Sequence, residues 1–226
     1  LTSKKYADEL VSHINPERAT PSVQIKPGKP MPYESDQTTH YSVADKFGNV
    51  VATTYTLNLL FGSGIVATGT GITLNNEMDD FSVKAGVPNA FGLVGGEANS
   101  VAAKKRPLSS MTPTMVLKDG KPFLVTGSPG GSRIITTTLQ IILNVIDHQL
   151  NPAEATIAPR LHHQWEPDVI RMERGFNADT LEILKQKGHK FSIGRSMGRT
   201  QTIKITAEGL EAFADPRNPD GRALAY

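Results

Sequence analysis

The sequence predicts an α+β fold built in layers, because hairpin patterns lie at both ends of the chain and helix patterns lie between them. Strand alternation with turn signals covers residues 39–57 and 114–126, helical apolar periodicity covers 135–146, and a last strand pair covers 202–214. Hairpins, then helices, then hairpins are typical of an α+β fold and not of alternating βαβ units. With 226 residues, of which 38% are hydrophobic, the chain can form one large domain or at most two small ones.

The first part of the chain combines one helix, a linker and a hairpin. Apolar residues at helical spacing between Tyr6 and Ile14 predict a helix, and prolines recurring from 16 to 32 indicate an extended linker. The hairpin that follows turns at 45–49. Residues 61–100 carry many glycines without a sustained period, which indicates a long loop.

The second part of the chain contains a hairpin and three helices. The hairpin turns at Asp119-Gly120 and runs directly into the glycine-rich segment 127–132. The helix after this segment has apolar residues on more than one side, so we expect both sides to be packed. Asn151, followed by proline and then glutamate, predicts a capped short helix, and Asn177 predicts another that ends at Gly188.

The composition excludes several classes of function. Lys plus Arg number 24 against 22 acidic residues, without a run of five like charges, which argues against a nucleic-acid partner. The absence of cysteine excludes a disulfide scaffold and a thiolate metal site. No apolar stretch approaches the ~20 residues of a membrane span. Leu1 is not an initiator methionine and no secretion leader follows it, so we expect a piece of a longer chain.

Thr38 is a candidate nucleophile because it opens the first predicted strand directly after the proline-rich linker, where a cut is possible. A threonine hydroxyl reacts well when its own free α-amine, with a pKa of roughly 7.7 to 8.0, acts as the base. That amine exists only if the bond between Gln37 and Thr38 is cut. An ordinary strand start has the same residues and is more common, so this motif alone leaves both interpretations open.

Further segments carry groups that could bind a substrate. Gly127–Arg133 lies between a predicted strand and a helix, where backbone amides can bind an oxyanion, although a plain turn is equally compatible. Asn75–Asp80 could bind an ammonium group or form a solvated turn, and its spacing departs from that of a calcium loop. His162 and His163 are adjacent and should point apart, so we expect no metal site.

Four motifs resemble, in the same order, those of the gamma-glutamyltranspeptidase family of N-terminal-nucleophile hydrolases. They are Thr-Thr-His-Tyr-Ser at 38–42, Leu-Asn-Asn-Glu-Met-Asp-Asp-Phe at 74–81, Lys-Arg-Pro-Leu-Ser-Ser-Met at 105–111 and Gly-Ser-Pro-Gly-Gly-Ser-Arg at 127–133. His-His-Gln-Trp at 162–165 and Asp-Pro-Arg at 215–217 extend the resemblance. It implies a four-layer αββα sandwich of which this chain supplies a part, with 1–37 as the tail of a large subunit and 38–226 as the small catalytic subunit.

The resemblance also implies a mechanism and its residues. A precursor would cut itself before Thr38, which would take a gamma-glutamyl group from glutathione or a related compound as an ester and pass it to an amino acid, a peptide or water. Thr56 is similar to a second threonine that orients the nucleophile, and the amides of Gly130 and Gly131 would form the oxyanion hole. Asn58, Glu77 and Asp80 match the family's positions that hold the substrate's α-amino group. Ser109 and Ser110 match the positions that hold its α-carboxylate. No cofactor and no metal is implied.

The remaining expectations concern the lid, the partner and the alternatives. Ala85–Gly96 resembles the family's lid over the glutamyl pocket, with Phe91 where many bacterial members have a tyrosine. A lid disfavours the cephalosporin acylase relatives, and an ammonium-binding trio disfavours a glutaryl acylase, because glutaryl has no ammonium. The expected partner is the large subunit of the same precursor, and the expected location is the periplasm or outside the cell. An uncut, non-enzymatic fragment is the alternative from a different class.

Overall fold

The computed structural model describes residues 3–25, 38–82, 84, 87, 95–165 and 167–225. Its α-helices are α1 (Lys4–Ser12), α2 (Arg133–Ile146), α3 (Pro152–Ile157) and α4 (Ala178–Gln186). Its strands are β1 (Thr39–Ala44), β2 (Val50–Tyr55), β3 (Thr114–Lys118), β4 (Lys121–Thr126), β5 (Leu161–His162), β6 (Ile170–Met172), β7 (Phe191–Ile193), β8 (Gln201–Thr206) and β9 (Gly209–Ala214). Short 3₁₀ turns lie at Ser22–Gln24, Glu77–Asp80 and Glu97–Asn99. The predicted α+β class is confirmed.

The strands form a hairpin and two larger sheets. β1 and β2 pair antiparallel, β3-β4-β8-β9 form an antiparallel sheet, and β5-β6-β7 form a mixed sheet in which β6 and β7 are parallel. The β1-β2 hairpin packs against β3, β4 and β8, and α2 and α3 pack against β4, β8 and β9. The β1-β2 hairpin and the four-stranded sheet are therefore packed on each other, and α2 and α3 pack on the four-stranded sheet.

The core lies between the four-stranded sheet and the helices. Leu124 of β4 packs with Val145 of α2 and Ala155 of α3, and all three are buried. The expectation that both sides of α2 are packed is wrong for the described residues. Its outer side carries an exposed apolar stripe of Ile135, Leu139, Leu143 and Ile146. The physical reason is that α2 contacts β4, β5 and α3 through its other side, where Ile134, Ile141 and Val145 are buried.

Local signals set several element boundaries. Asn151 and Glu154 form the predicted reciprocal capping box at the start of α3, and the Asn177 side chain accepts backbone amides at the start of α4. The β5-β6-β7 sheet was not predicted, because strands of two or three residues carry no readable alternation. Among the helices that the structure describes, none combines the length and apolar character required to cross a membrane.

Candidate active site

Thr38 directly precedes β1 and Thr56 directly follows β2, so they lie opposite each other next to the Thr39–Tyr55 pair of the hairpin. The Thr38 hydroxyl donates to Thr56 Oγ1 at 3.3 Å, and the backbone amide of Asn58 donates to the same oxygen at 2.8 Å. We call Thr38, Thr56 and Asn58 the nucleophile group. The hairpin thus joins three of the predicted site residues and gives the Thr38 hydroxyl a fixed acceptor.

Asn58 attaches the nucleophile group to the acidic turn Glu77–Asp80. It is only 3% exposed and has a left-handed backbone with φ 72°, which asparagine adopts more readily than most residues. Its Nδ2 donates to the carbonyl of Asn76 at 3.1 Å, and Asn76 Oδ1 accepts the amide of Leu59 at 3.1 Å. Asn76 was not singled out from the sequence, although it lies within the motif at 74–81.

Glu77 and Asp80 lie three residues apart on one 3₁₀ turn, where such side chains stand above each other and share a hydrogen bond. Burial, followed by the charge and hydrogen bond of Asp80, raises the pKa of Glu77 to about 7. Burial is also the main cause that raises the pKa of Asp80. The buried Oε1 of Glu77 has no hydrogen-bond partner among the described residues. This pair of acceptors suits an ammonium group.

Asn99 connects the acidic turn to the segment that carries the two predicted serine ligands. Its Nδ2 donates to the carbonyl of Asp80 at 2.7 Å, and its Oδ1 accepts the amide of Leu108 at 3.0 Å. Directly beyond this connection, Ser109 is exposed and Ser110 is half-buried. Within the described ranges, neither serine hydroxyl is hydrogen-bonded to the nucleophile group. No sequence signal marked Asn99, since it lies in a loop without periodicity.

Gly130 and Gly131 lie in the loop between β4 and α2 and both have a positive φ, of 136° and 57°. Side chains rarely adopt this conformation, so the loop needs glycine here. Their carbonyls accept the amides of Arg133 and Ile134 at 3.2 and 3.1 Å, which places the loop at the start of α2. In the part of the chain that the structure describes, neither glycine amide donates to a protein acceptor. Both amides are therefore free to bind an oxyanion.

His40 connects the strand of the nucleophile to the glycine-rich loop. Its Nδ1 lies 2.9 Å from Thr54 Oγ1 and its Nε2 lies 3.1 Å from Ser42 Oγ, which itself donates to the carbonyl of Gln201. Ser42 must therefore accept from Nε2–H, so Nδ1 accepts from Thr54. Burial lowers the pKa of His40 to about 4 and keeps the ring neutral. A Cβ on Gly127 would lie 2.3 Å from His40 Cε1, so the ring packs directly on the loop.

A network of ion pairs among Arg160, Glu173, Asp215 and Arg217 holds the segment 197–200. Arg160 and Asp215 are 2.6 Å apart with side chains 2% and 0% exposed, and Arg217 lies 2.6 Å from Glu173. The first carbonyl of the segment accepts from Arg160 at 2.6 Å, and its last amide donates to Asp215 at 2.9 Å. Asp215, the first residue of the Asp-Pro-Arg motif at 215–217, therefore holds a segment that ends 15 residues earlier in the sequence.

The segment 197–200 in turn supports the glycine-rich loop. The amide of Arg199 donates to Ser128 Oγ at 2.9 Å. A Cβ on Gly198 would lie 2.5 Å from the same oxygen, and a Cβ on Gly130 would lie 3.6 Å from the Cα of Gly198. Loop and segment are thus in close contact, so the ion pairs fix the position of the predicted oxyanion hole.

Some of the residues singled out in the sequence lie outside the described residues or away from the nucleophile group. Phe91 and most of the predicted lid lie outside the described residues, and so does Gln37 on the other side of the predicted cut. His162 Nδ1 lies 2.8 Å from Thr136 Oγ1, which gives the ring a partner within the helix layer. Among the described residues, no group of three or more His, Cys, Asp or Glu side chains could hold a metal ion.

Comparison with known proteins identifies the family. Residues 1–225 match the model of the family described as Gamma-glutamyltranspeptidase. The whole chain is 60% identical to the glutathione hydrolase proenzyme of Escherichia coli K12, over 227 aligned residues that make up 39% of that relative. A solved gamma-glutamyltranspeptidase of Helicobacter pylori superimposes with a TM-score of 0.76 at 53% identity, over 80% of this chain and all of the other.

A cephalosporin acylase of Bacillus halodurans superimposes with a TM-score of 0.81 at 29% identity, over 99% of this chain and 38% of that one. The chain spans 39% and 41% of the length of two curated relatives that it matches over its full length. These likenesses confirm the fold class and the family that the motifs indicated. The chain belongs to the gamma-glutamyltranspeptidase family.

Proposed function

We propose that this chain carries the nucleophile of a glutathione hydrolase, a gamma-glutamyltransferase, and that its precursor cuts itself between Gln37 and Thr38. The observation that carries the proposal is the nucleophile group, in which Thr56 and the hairpin hold the Thr38 hydroxyl at the start of β1. A cut at this place would put a free α-amine beside that hydroxyl. The proenzyme name of the Escherichia coli relative supports a precursor that becomes two subunits.

The proposed reaction has two steps. Thr38 Oγ attacks the γ-carbonyl carbon of the donor, while the α-amine takes the hydroxyl proton and passes it to the leaving amine. The amides of Gly130 and Gly131 stabilise the oxyanion of the tetrahedral intermediate, which collapses to a gamma-glutamyl ester and a free amine. An amino acid, a peptide or water then attacks the ester through the same base, and Thr38 regains its proton.

The substrate would be recognised through its amino-acid end. Asn58, Glu77 and Asp80 would hold the α-ammonium group, since among the described residues no cationic side chain is paired with either carboxyl group. Ser109 and Ser110 would hold the α-carboxylate. The proposed partner is the remainder of the precursor, the large subunit. We also propose a periplasmic or secreted location, for which the family resemblance is the only support.

An acylase for glutaryl compounds is the second candidate, because the cephalosporin acylase superimposes over almost the whole chain. The acidic turn argues against it, since Glu77 and Asp80 would stay unpaired against a glutaryl group, which has no ammonium. An uncut, non-enzymatic fragment is the third candidate.

Turnover of gamma-glutamyl and glutaryl p-nitroanilides by the full-length precursor separates these candidates, measured with and without glycylglycine as acceptor. We expect kcat/KM to favour the gamma-glutamyl donor by at least about 100-fold, and we expect glycylglycine to accelerate release of the anilide. Thr38→Ala should abolish turnover, whereas Thr38→Ser should retain part of it. A preference for glutaryl would support the acylase, and an uncut protein without turnover would support the non-enzymatic fragment.

A further inference from the structure

Residues 16–25, which precede the predicted cut, are attached to the C-terminal half of the chain at two places. At the first place, the carbonyl of Lys187 accepts the amide of Ala19 at 2.8 Å. The Lys187 ammonium group donates to the carbonyl of Pro16 at 2.6 Å. Lys187 follows α4 directly, so the end of that helix presents both a donor and an acceptor to the segment.

At the second place, Ser22 is buried against Asp168. Ser22 is 1% exposed, and its amide and hydroxyl both donate to the Asp168 carboxylate, at 3.1 and 2.9 Å. His163 Nε2 lies 3.3 Å from the same carboxylate. Partial burial of Asp168 opposes ionisation, but the hydrogen bonds from Ser22 and His163 outweigh it and hold the pKa below its ordinary value. Both polar donors of the serine are therefore used on one ionised group.

Trp165 completes this second attachment. Its indole Nε1–H is shared between the carbonyls of Ser22 at 2.7 Å and Ile25 at 2.9 Å. Its backbone has φ 74°, uncommon for a bulky side chain, and its amide donates to His163 Nδ1 at 3.1 Å. His163 therefore carries its ring proton on Nε2, toward Asp168. His163, Trp165 and Asp168 thus all take part in the contacts at this second place.

These contacts are the main attachment of the described N-terminal residues. Within 3–25, Ser22 is the only residue that is buried, and α1 buries none of its side chains. On the far side, residues 26–37 join the segment to Thr38 through the chain itself. A cut at Gln37–Thr38 would remove this covalent connection and involves none of the atoms that form the two attachments.

We propose that Ser22, Trp165, Asp168 and Lys187 form a clasp that keeps the segment before the cut bound to the catalytic part after cleavage. The proposal rests on the self-cleavage put forward above. Before the cut the clasp closes within one chain, where the connection through 26–37 gives its two sides a high effective concentration. After the cut the clasp is a contact between two chains. Its hydrogen bonds must then hold the new C-terminal segment without the covalent connection through 26–37.

Hydrogen exchange in the full-length precursor tests the clasp. The parent protein carries Thr38→Ala and a site-specific protease sequence in place of residues 29–35, so that the cut is made at will. We expect the peptide 17–25 to exchange at least tenfold more slowly than an unstructured chain, both before and after the cut. Asp168→Asn and Ser22→Ala should lose this protection after the cut, whereas the exposed control Asp220→Asn should keep it.

Peptides from α2 report whether each variant is folded. If Asp168→Asn does not fold, Trp165→Phe decides the case, because it removes the indole donor and keeps an aromatic ring. The clasp is overturned if the parent peptide exchanges at the unstructured rate after the cut, or if the folded clasp variants keep the parent's protection. The intact mass of the wild-type precursor is read separately. A precursor that never cuts itself contradicts the proposed function, whereas the exchange of the protease-cut protein reports on the clasp alone.

Discussion

Thr38 Oγ1 donates a hydrogen bond of 3.3 Å to Thr56 Oγ1 across the β1-β2 hairpin. Thr56 Oγ1 also accepts the amide of Asn58, so the acceptor for the nucleophile is itself held in place. The pairing of β1 with β2 thus places the Thr38 hydroxyl beside a fixed acceptor. In the proposed mechanism, Thr56 is therefore the residue through which the hairpin would orient the Thr38 hydroxyl.

Thr56→Val should slow both self-cleavage and turnover, because it keeps the shape of the side chain and removes the oxygen that orients Thr38. We expect a loss on the order of 100-fold in kcat/KM, the scale of a misplaced reacting group. Thr56→Ser keeps the hydroxyl and should retain most of the activity. Rates of precursor processing on denaturing gels and steady-state kinetics check this, and equal activity of the valine and serine variants would contradict it.

The KM for a gamma-glutamyl donor should fall as the pH rises through about 7. Below that pH the Glu77–Asp80 pair holds an extra proton, because burial and the neighbouring carboxyl group raise the pKa of Glu77 to about 7. Binding of an ammonium group favours the ionised pair, so an acidic solution opposes binding. Glu77→Gln should raise KM by about tenfold or more and flatten this pH dependence.

The matched control for that change is Glu97→Gln, which neutralises an exposed glutamate on the neighbouring 3₁₀ turn. It should leave the pH profile of KM unchanged. A donor KM that does not vary between pH 6 and pH 8 in the wild-type protein would rule out the role of the Glu77–Asp80 pair.

Gly127→Ala should destabilise the fold and displace the glycine-rich loop, because the new Cβ would lie 2.3 Å from the buried His40 ring. Overpacking of this kind costs about 1–3 kcal/mol in the free energy of unfolding. Gly194→Ala is the control, since nothing lies within 4 Å of its Cβ position. Urea denaturation compares the two, and equal midpoints would show that the ring and the loop are not in contact.

Arg160→Met should destabilise the protein by about 3–5 kcal/mol, because it removes one partner of a buried ion pair. Arg160 and Asp215 are 2.6 Å apart and almost fully buried. The exposed Arg195→Met should change the free energy of unfolding by less than about 0.5 kcal/mol. The comparison is made by urea denaturation, and a shift as small as that of the control would mean that Arg160 does not hold the segment 197–200.

The sequence predicted those elements that carry their own local signals. The Asp119-Gly120 turn, the capping box at Asn151 and the cap at Asn177 each act within a few residues, and all three are found in the structure. The packing of α2 was predicted incorrectly, because periodicity reports apolar sides and does not report which of them a neighbour covers.

The candidate site was predictable where its residues lie in contiguous motifs, as Thr38 and Glu77 do. Its supports were not predictable, because they connect distant parts of the chain. Asn99 donates to the carbonyl of Asp80, 19 residues away, and the amide of Arg199 donates to Ser128 Oγ, 71 residues away. Contacts between residues so far apart produce no recognisable pattern in a single sequence.

The intact masses of the purified full-length precursor show whether the chain cuts itself between Gln37 and Thr38, with Thr38→Ala measured beside the wild type. Cleavage between Gln37 and Thr38 predicts two wild-type species whose masses divide at that bond, a new chain beginning at Thr38, and a single species for the variant. A wild-type protein that stays in one piece while it turns over gamma-glutamyl substrates would contradict the account, and so would a Thr38→Ala protein that is still cut at this bond.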